Sequence, residues 1–326
     1  MENMLYPLKF EPILKNKIWG GEKLRDVLNK PTRSGQCGES WEISGVVQDV
    51  SVVSNGFLEK NNLSEVLEVY MADLVGEKVF ERYGNEFPLL IKFIDASDDL
   101  SIQVHPDDEL AKKRHHSFGK TEMWYVMEAE KNSNLIVGFN QEMDKKKYIE
   151  YVNSNKITDI LNYEPVSPGD VFFMPAGRVH AIGAGIMLAE IQQTSDVTYR
   201  IYDYNRKDAS GQTRELHTDL AVDAIDYNFY DDYRTRYNRI DNKENIIVNS
   251  PYFTTNLIPL TTRMKKDIYA LDSFVIYMCV EGSVRIAYNN EDETLKKGET
   301  ILIPAAVREF TLIPENESNL LEIYIQ

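Results

Sequence analysis

Gly169-Asp-Val-Phe-Phe-Met-Pro-Ala-Gly-Arg-Val-His180 decides how the rest of the chain is read. The run has the form G-x5-P-x-G-x2-H: a turn glycine, a short apolar strand, a second tight turn, then one histidine. Upstream, Leu100–His105 is another strand-like stretch, with Gln103 and His105 two residues apart and therefore on one face. Both stretches carry groups that ligate divalent metals, so the chain is expected to build a metal site inside β-structure.

Similar short runs, rich in β-branched and aromatic residues and bounded by Gly, Asn or Asp, recur along the chain. Phe87–Asp95, Met123–Met127, Leu135–Phe139, Gly185–Gln192 and Thr198–Tyr204 precede residue 250. Phe253–Ile258, Phe274–Val280, Ser283–Tyr288, Thr300–Pro304 and Leu320–Ile325 follow it. Strands at this spacing predict a sandwich or barrel, not alternating βα units. Helical periodicity appears in Leu63–Val75, Met143–Leu161 and Leu216–Tyr227, which read as insertions packed on β-structure. Gly169-Asp-Val-Phe-Phe-Met-Pro175-Ala176 also aligns without gaps on Gly298-Glu-Thr-Ile-Leu-Ile-Pro304-Ala305, 129 residues later. The second copy has lost the chemistry, because Ala306 stands for Gly177 and Glu309 for His180. The expected architecture is mostly β: two barrels from one duplication, with helical insertions. The first (residues 1–240) keeps a metal and the second (241–326) is kept for packing, with polar, unpatterned sequence near 230–250 between them.

A net charge of −16 opposes a nucleic-acid partner, because neutralising phosphates needs a basic surface. It leaves room for a small anion gripped by a few focused cations, which singles out Lys92, Lys120, Arg178 and Arg200. No apolar run approaches the roughly 20 residues of a membrane helix. The N-terminus lacks a basic flank followed by an apolar segment. Cys37 and Cys279, the two cysteines, suit a reducing compartment, and a cytoplasmic location is expected.

Strand parity sorts the candidate site. Ser101, Gln103 and His105 share one face, and Lys120, Glu122 and Trp124 another. Glu190, Gln192, Thr194, Asp196, Thr198 and Arg200 share a third, unless a bulge at Thr194-Ser195 breaks it. Polar groups where a solid core would place Leu or Val indicate an inward-facing functional cavity. His105, His180, Glu122 and Gln103 then form the natural ligand set, with Glu109 an alternative to Glu122 through its His-x3-Glu spacing. Two imidazoles, a carboxylate and an amide oxygen, with one position open, suit a catalytic zinc; spacing alone leaves manganese, iron, cobalt and nickel open. Lys92, inside Leu89-Leu-Ile-Lys-Phe-Ile, either snorkels at an edge or points into the cavity. His115 and His116 read as a solvated basic loop, and His217 as a helix-start residue.

The Gly169–His180 run resembles the second sequence signature of the cupin barrels. The chain as a whole resembles the type I mannose-6-phosphate isomerases in their shorter bacterial form. Pro12-Ile-Leu-Lys-Asn-Lys-Ile-Trp-Gly-Gly21, Cys37-Gly-Glu-Ser-Trp-Glu-Ile-Ser-Gly45 and Pro88-Leu-Leu-Ile-Lys-Phe-Ile-Asp95 carry the likeness. So do Leu100-Ser-Ile-Gln-Val-His-Pro106, Lys120-Thr-Glu-Met-Trp-Tyr125 and Glu190-Ile-Gln-Gln-Thr-Ser-Asp-Val-Thr-Tyr-Arg200. The resemblance implies jelly-roll cupin barrels and one zinc per chain on Gln103, His105, Glu122 and His180. It also implies interconversion of mannose 6-phosphate and fructose 6-phosphate, so the partner is a small phosphorylated sugar. Lys120, Asp196 and Arg200 match the family's active-site positions. Trp19 lies in a segment near the mouth, and with it Lys92, Ser101 and Glu190 are substrate-binding candidates. The large helical domain of the longer family form is missing; only Met143–Leu161 lies between the metal motifs.

Such an isomerisation needs a base, a proton shuttle and a holder for the developing oxyanion. Lys120, Glu190, Asp196 and a metal-bound water all remain open as the base. Arg200 and Lys120 can serve the oxyanion or the phosphate. A redox-metal dioxygenase and a non-catalytic sugar-sensing cupin are the rival readings, and Gln103 among the ligands argues against the first.

Overall fold

The computed structural model describes residues 5–207 and 211–326, and the chain is mostly β. A seven-stranded antiparallel sheet runs through Ile13–Gly21, Cys37–Ser44, Leu89–Ala96, Ile186–Gln193, Glu122–Ala129, Val171–Met174 and Arg234–Thr235. A five-stranded sheet packs on it, in the order Tyr199–Tyr202, Ile102–Val104, His180–Ile182, Asn134–Phe139 and Leu161–Pro165. Beyond residue 240 a second pair follows. Its five-stranded sheet is ordered Asn245–Asn249, Thr254–Leu260, Ser318–Tyr324, Val275–Glu281 and Thr300–Ile303. Its four-stranded sheet is ordered Met264–Asp267, Glu309–Pro314, Ser283–Tyr288 and Glu291–Lys296. No helix among the described residues is long and apolar enough to cross a membrane.

Alternation along the strands explains the layers. Ile94 packs with Leu135, Val137 and Ile182 of the facing sheet. Its neighbours Ile91 and Phe93 point the other way, into a cluster shared with Ile276, Met278 and Ile323 of the second pair. Leu63, Val66, Leu67 and Val79, from the helices Leu63–Tyr70 and Glu77–Tyr83, join that cluster. It is the most populous core among the described residues, and each such buried side chain is worth roughly 1.5–3 kcal/mol. The two sheet pairs are therefore joined through a core.

The sequence suggests two barrels; among the described residues the strands form facing sheets, and no closed barrel is found. No hydrogen-bonded strand pair among the described residues joins the seven-stranded sheet to its five-stranded partner. Two register shifts along the edge strand Ile13–Gly21 bend it and interrupt its ladder. That strand and Cys37–Ser44 escaped the sequence reading because Lys15, Asn16 and Lys17 break the first pattern and a shift between Trp41 and Ile43 breaks the second. Leu161, expected to end a helix, begins a strand; the helix is Lys145–Asn153, followed by a 3-10 turn at Ile157–Ile160.

The internal repeat is structural as well as sequential. Val171–Met174 and Thr300–Ile303 each follow a glycine in the left-handed region, Gly169 at φ +93° and Gly298 at φ +84°, where a side chain would be strained. The strand registers also correspond. Trp124 lies opposite Phe172 and Glu190, and Glu190 opposite Lys92. In the second pair Tyr277 lies opposite Ile301 and Glu322, and Glu322 opposite Asn256. Glu122 faces Met174, whereas its counterpart facing Ile303 is Val275.

Candidate metal centre

Separate elements converge on one point between the first two sheets. Gln103 lies in Ile102–Val104 with His105 just past it; Glu122 opens Glu122–Ala129, and His180 opens His180–Ile182 after the Pro175–Gly177 turn. Gln103 pairs directly with His180 across the smaller sheet. Ligand atoms of His105, Glu122 and His180 all lie within 4.8 Å of one another, and all three side chains are buried. Glu122 Oε2 is 3.5 Å from His105 Nε2, and Glu122 Oε1 is 3.3 Å from His180 Nε2. The Gln103 amide is 3.3 Å from His180 Nε2. Its nitrogen and oxygen are interchangeable by a half-turn, so the oxygen can face the centre.

The backbone orients both imidazoles. Nδ1 of His105 lies 2.9 Å from the Val197 carbonyl, and Nδ1 of His180 lies 2.8 Å from the Arg178 carbonyl. A carbonyl only accepts, so each Nδ1 carries the hydrogen and each Nε2 presents a lone pair inward. Burial pushes His180 down to about 4 and His105 well below its ordinary range, so both imidazoles are neutral at pH 7. Burial and then the nearby Glu190 charge raise Glu122 to about 7. Neither Glu122 oxygen accepts an aligned hydrogen bond, although the Lys120 ammonium is 3.2 Å from Oε2. A buried carboxylate in that condition calls for a cation, and the nitrogen and oxygen donors fit a divalent one.

A row of alternating charge crosses the inner face of the larger sheet. Lys17 Nζ is 3.1 Å from Glu39 Oε1, and Trp41 Nε1 donates to Glu39 Oε2 at 2.6 Å. Lys92 Nζ is 2.9 Å from Glu190 Oε1 and 5.3 Å from the centre of the Trp41 ring. Trp124 Nε1 donates to Glu190 Oε2 at 2.8 Å. Burial opposes the Glu190 charge, yet Lys92 and Lys120 hold that carboxyl below its usual range. Burial likewise opposes ionisation of Glu39, but Lys92, Lys17 and the indole bring it to about 2. A carboxylate with a folded pKa below its ordinary 4.5 stabilises the fold above that pH and loses the contribution as pH falls towards 2. The amount is about 3 kcal/mol. Glu39→Gln should flatten the fall of urea-unfolding free energy between those pH values; slopes equal to wild type would refute the assignment.

Family models for the type I phosphomannose isomerase catalytic domain and the mannose-6-phosphate isomerase cupin domain match residues 7–140 and 243–317. The mannose-6-phosphate isomerase ManA of Bacillus subtilis is 35% identical over 94% of this chain and 95% of its own length. The chain belongs to the type I phosphomannose isomerase family. A mannose-6-phosphate isomerase of Streptococcus mutans is 33% identical over 94% of both chains. The crystal structure of the mannose 6-phosphate isomerase from Bacillus subtilis superposes with a TM-score of 0.89 at 32% identity, over 98% of this chain and all of that one.

With the phosphomannose isomerase family established, the remaining candidates can be placed. Arg200 lies opposite Gln103, so the two side chains share a face of the smaller sheet, and its Nε is 3.3 Å from Ser101 Oγ. Lys120 Nζ is 3.0 Å from His105 Nε2. Lys92 is buried against Glu190, not snorkelling at an edge. Trp19 is buried with Ile94 and Leu100 in an apolar cluster. Asp196 departs from the parity reading. The chain leaves the larger sheet at Gln193 and joins the smaller one at Tyr199, so the alternation resets and Asp196 emerges at the surface. There it lines a cleft of about 870 Å3 with Tyr83, Phe118 and Tyr252; none of the four ligand candidates lines it. Glu109 is exposed on the helix Asp108–His115, outside the metal group. His115, on the same helix, meets the Tyr199 hydroxyl at 2.8 Å. His217 precedes the helix Thr218–Ala224, and its Nδ1 accepts from the Arg200 backbone N–H.

Residues missed from sequence are Lys17, Glu39 and Trp41. Also missed were Arg206 and Arg214, both of which donate to Asp203 beside Arg200. Lys17, Glu39 and Trp41 sit inside the quoted family motifs. The alternation of Lys15, Lys17 and Trp19, and of Glu39 and Trp41, was the available signal.

Proposed function

We propose that the chain interconverts mannose 6-phosphate and fructose 6-phosphate, using one zinc ion held by Gln103, His105, Glu122 and His180. The observation that carries this reading is a neutral His–His pair with a buried carboxylate that accepts no aligned hydrogen bond, beside the Lys92–Glu190 ion pair. When bound, the ion supplies a positive centre that polarises the oxygens at C1 and C2 of the open-chain sugar.

The rest of the chemistry falls to side chains. The C2 proton leaves to a base, its electron pair forms a C1=C2 bond, and the C1 carbonyl oxygen becomes an oxyanion. Return of a proton to C1, with transfer of the hydroxyl proton from O2 to O1, completes the ketose. Lys120, beside His105 and Glu122, is placed to move these protons. Arg200 is placed to hold the oxyanion or the phosphate, with bidentate geometry available to it. Arg200→Ala is expected to lose roughly 3 kcal/mol of transition-state stabilisation, the scale of a single oxyanion donor. An unchanged kcat/KM would remove it from the mechanism. The parent reading is tested by a coupled assay for fructose 6-phosphate formed from mannose 6-phosphate, alongside metal content. We also read residues 1–240 and 241–326 as duplicated jelly rolls of cupin type; the corresponding registers around Glu190 and Glu322 support this.

A further inference from the structure

Both oxygens of Glu190 are occupied. Lys92 Nζ lies 2.9 Å from Oε1 and Trp124 Nε1 lies 2.8 Å from Oε2. All three residues are at least nine-tenths buried, with Lys92 at 6%, Glu190 at 3% and Trp124 at 1% exposure. The second sheet pair repeats this arrangement with different residues. Glu322, in the register of Glu190, accepts from Asn256 Nδ2 at 2.9 Å and from the Tyr277 hydroxyl at 2.6 Å. Asn256 and Tyr277 occupy the registers of Lys92 and Trp124. That pair carries Val275 where the first carries Glu122, yet it keeps an aromatic donor on the carboxylate. The aromatic donor therefore serves to hold a carboxylate still, independently of metal ligation. Trp124 has a second contact, meeting the His180 ring edge-on with centroids 5.3 Å apart and planes at 81°. One rigid indole touches both a metal-ligand candidate and the Glu190 carboxylate.

We propose that Trp124 is a positioning residue for the isomerisation. Its N–H occupies Glu190, fixes that carboxylate as the counter-charge of Lys92, and withholds it from acting as the proton-abstracting base. The proposal rests on the isomerase reading of the candidate site and narrows the candidates for the base.

Trp124→Phe keeps a ring but lacks the donor, whereas Trp124→Tyr restores a hydroxyl donor of the kind Tyr277 uses. In metal-loaded protein, the phenylalanine variant should lose about 10–100-fold in kcat, the scale for residues that orient a site. KM and metal content should stay near wild type, and the tyrosine variant should recover most of the loss. A phenylalanine variant with kcat close to wild type, or a tyrosine variant no better than phenylalanine, overturns the proposal. Should the phenylalanine variant fail to fold, indole NMR decides. The chain has three tryptophans, so 15N labelling gives three indole signals. The Trp124 signal should resist solvent exchange and move in Glu190→Gln; an unmoved signal overturns the proposal. A wild-type chain without isomerase turnover would defeat the functional reading instead, leaving the indole signal to decide the bond.

Discussion

His180→Ala protein is expected to purify without its divalent ion and to turn over mannose 6-phosphate at least about 10³-fold more slowly. The magnitude follows from the several kcal/mol that a Lewis-acidic ion contributes at a developing oxyanion. The geometry makes the loss hard to compensate. His180 Nε2 is 3.3 Å from both Glu122 Oε1 and the Gln103 amide, so one truncation removes a neighbour from two other ligand candidates. Its Nδ1 is tied to the Arg178 carbonyl, and no described histidine outside the pair sits in the group. His105→Ala should behave alike, because its Nε2 faces Glu122 while Nδ1 is tied to Val197. His116→Ala, on an exposed residue beyond the helix Asp108–His115, should leave both properties intact. Metal analysis paired with the coupled assay reads the result. A His180→Ala enzyme that is metal-free and fully active would remove zinc from the mechanism.

Ligand candidates were readable because each lies in a short, regular stretch whose neighbours share its parity. Gln103 and His105 alternate on one strand, and Glu122 and Trp124 on another. Asp196 and Arg200 show where that reasoning ends. Parity assumes one continuous strand, but residues 194–198 cross between sheets, and only partners across the sheet reveal the reset. Arg200 faces inward because Gln103 is opposite it, not because Glu190 is ten residues away. The edge strands were lost for the converse reason. Lys15, Lys17 and Glu39 look like solvent-facing polarity, yet Glu39 is buried because Lys17 and Trp41 satisfy it. Pairing across strands, which permits that burial, is not written in either segment alone. The sequence repeat was visible in eight residues, but the correspondence of Glu190 with Glu322 required the registers.

That correspondence leads to the largest stability effect expected outside the metal centre. In the second sheet pair Lys266 Nζ lies 2.5 Å from Glu322 Oε1 and also pairs with Glu244. Lys266 and Glu322 are almost fully enclosed, whereas Glu244 is half-exposed. The ammonium comes from Met264–Asp267 and meets a carboxylate already bonded to Tyr277 and Asn256. An internal cation thus neutralises Glu322 in this polar core, as Lys92 does for Glu190 in the first pair. Lys266→Met leaves Glu322 with neutral donors only, and an uncompensated buried charge costs about 3–5 kcal/mol. Urea unfolding should register that loss as a single transition, because the core around Ile276, Met278 and Ile323 joins this pair to the first. Adding Glu322→Gln removes the stranded charge while keeping an acceptor for Tyr277, so the double variant should regain most of the stability. Metal content should be unaffected in both. A Lys266→Met protein within about 1 kcal/mol of wild type would place Lys266 among surface ion pairs of little weight.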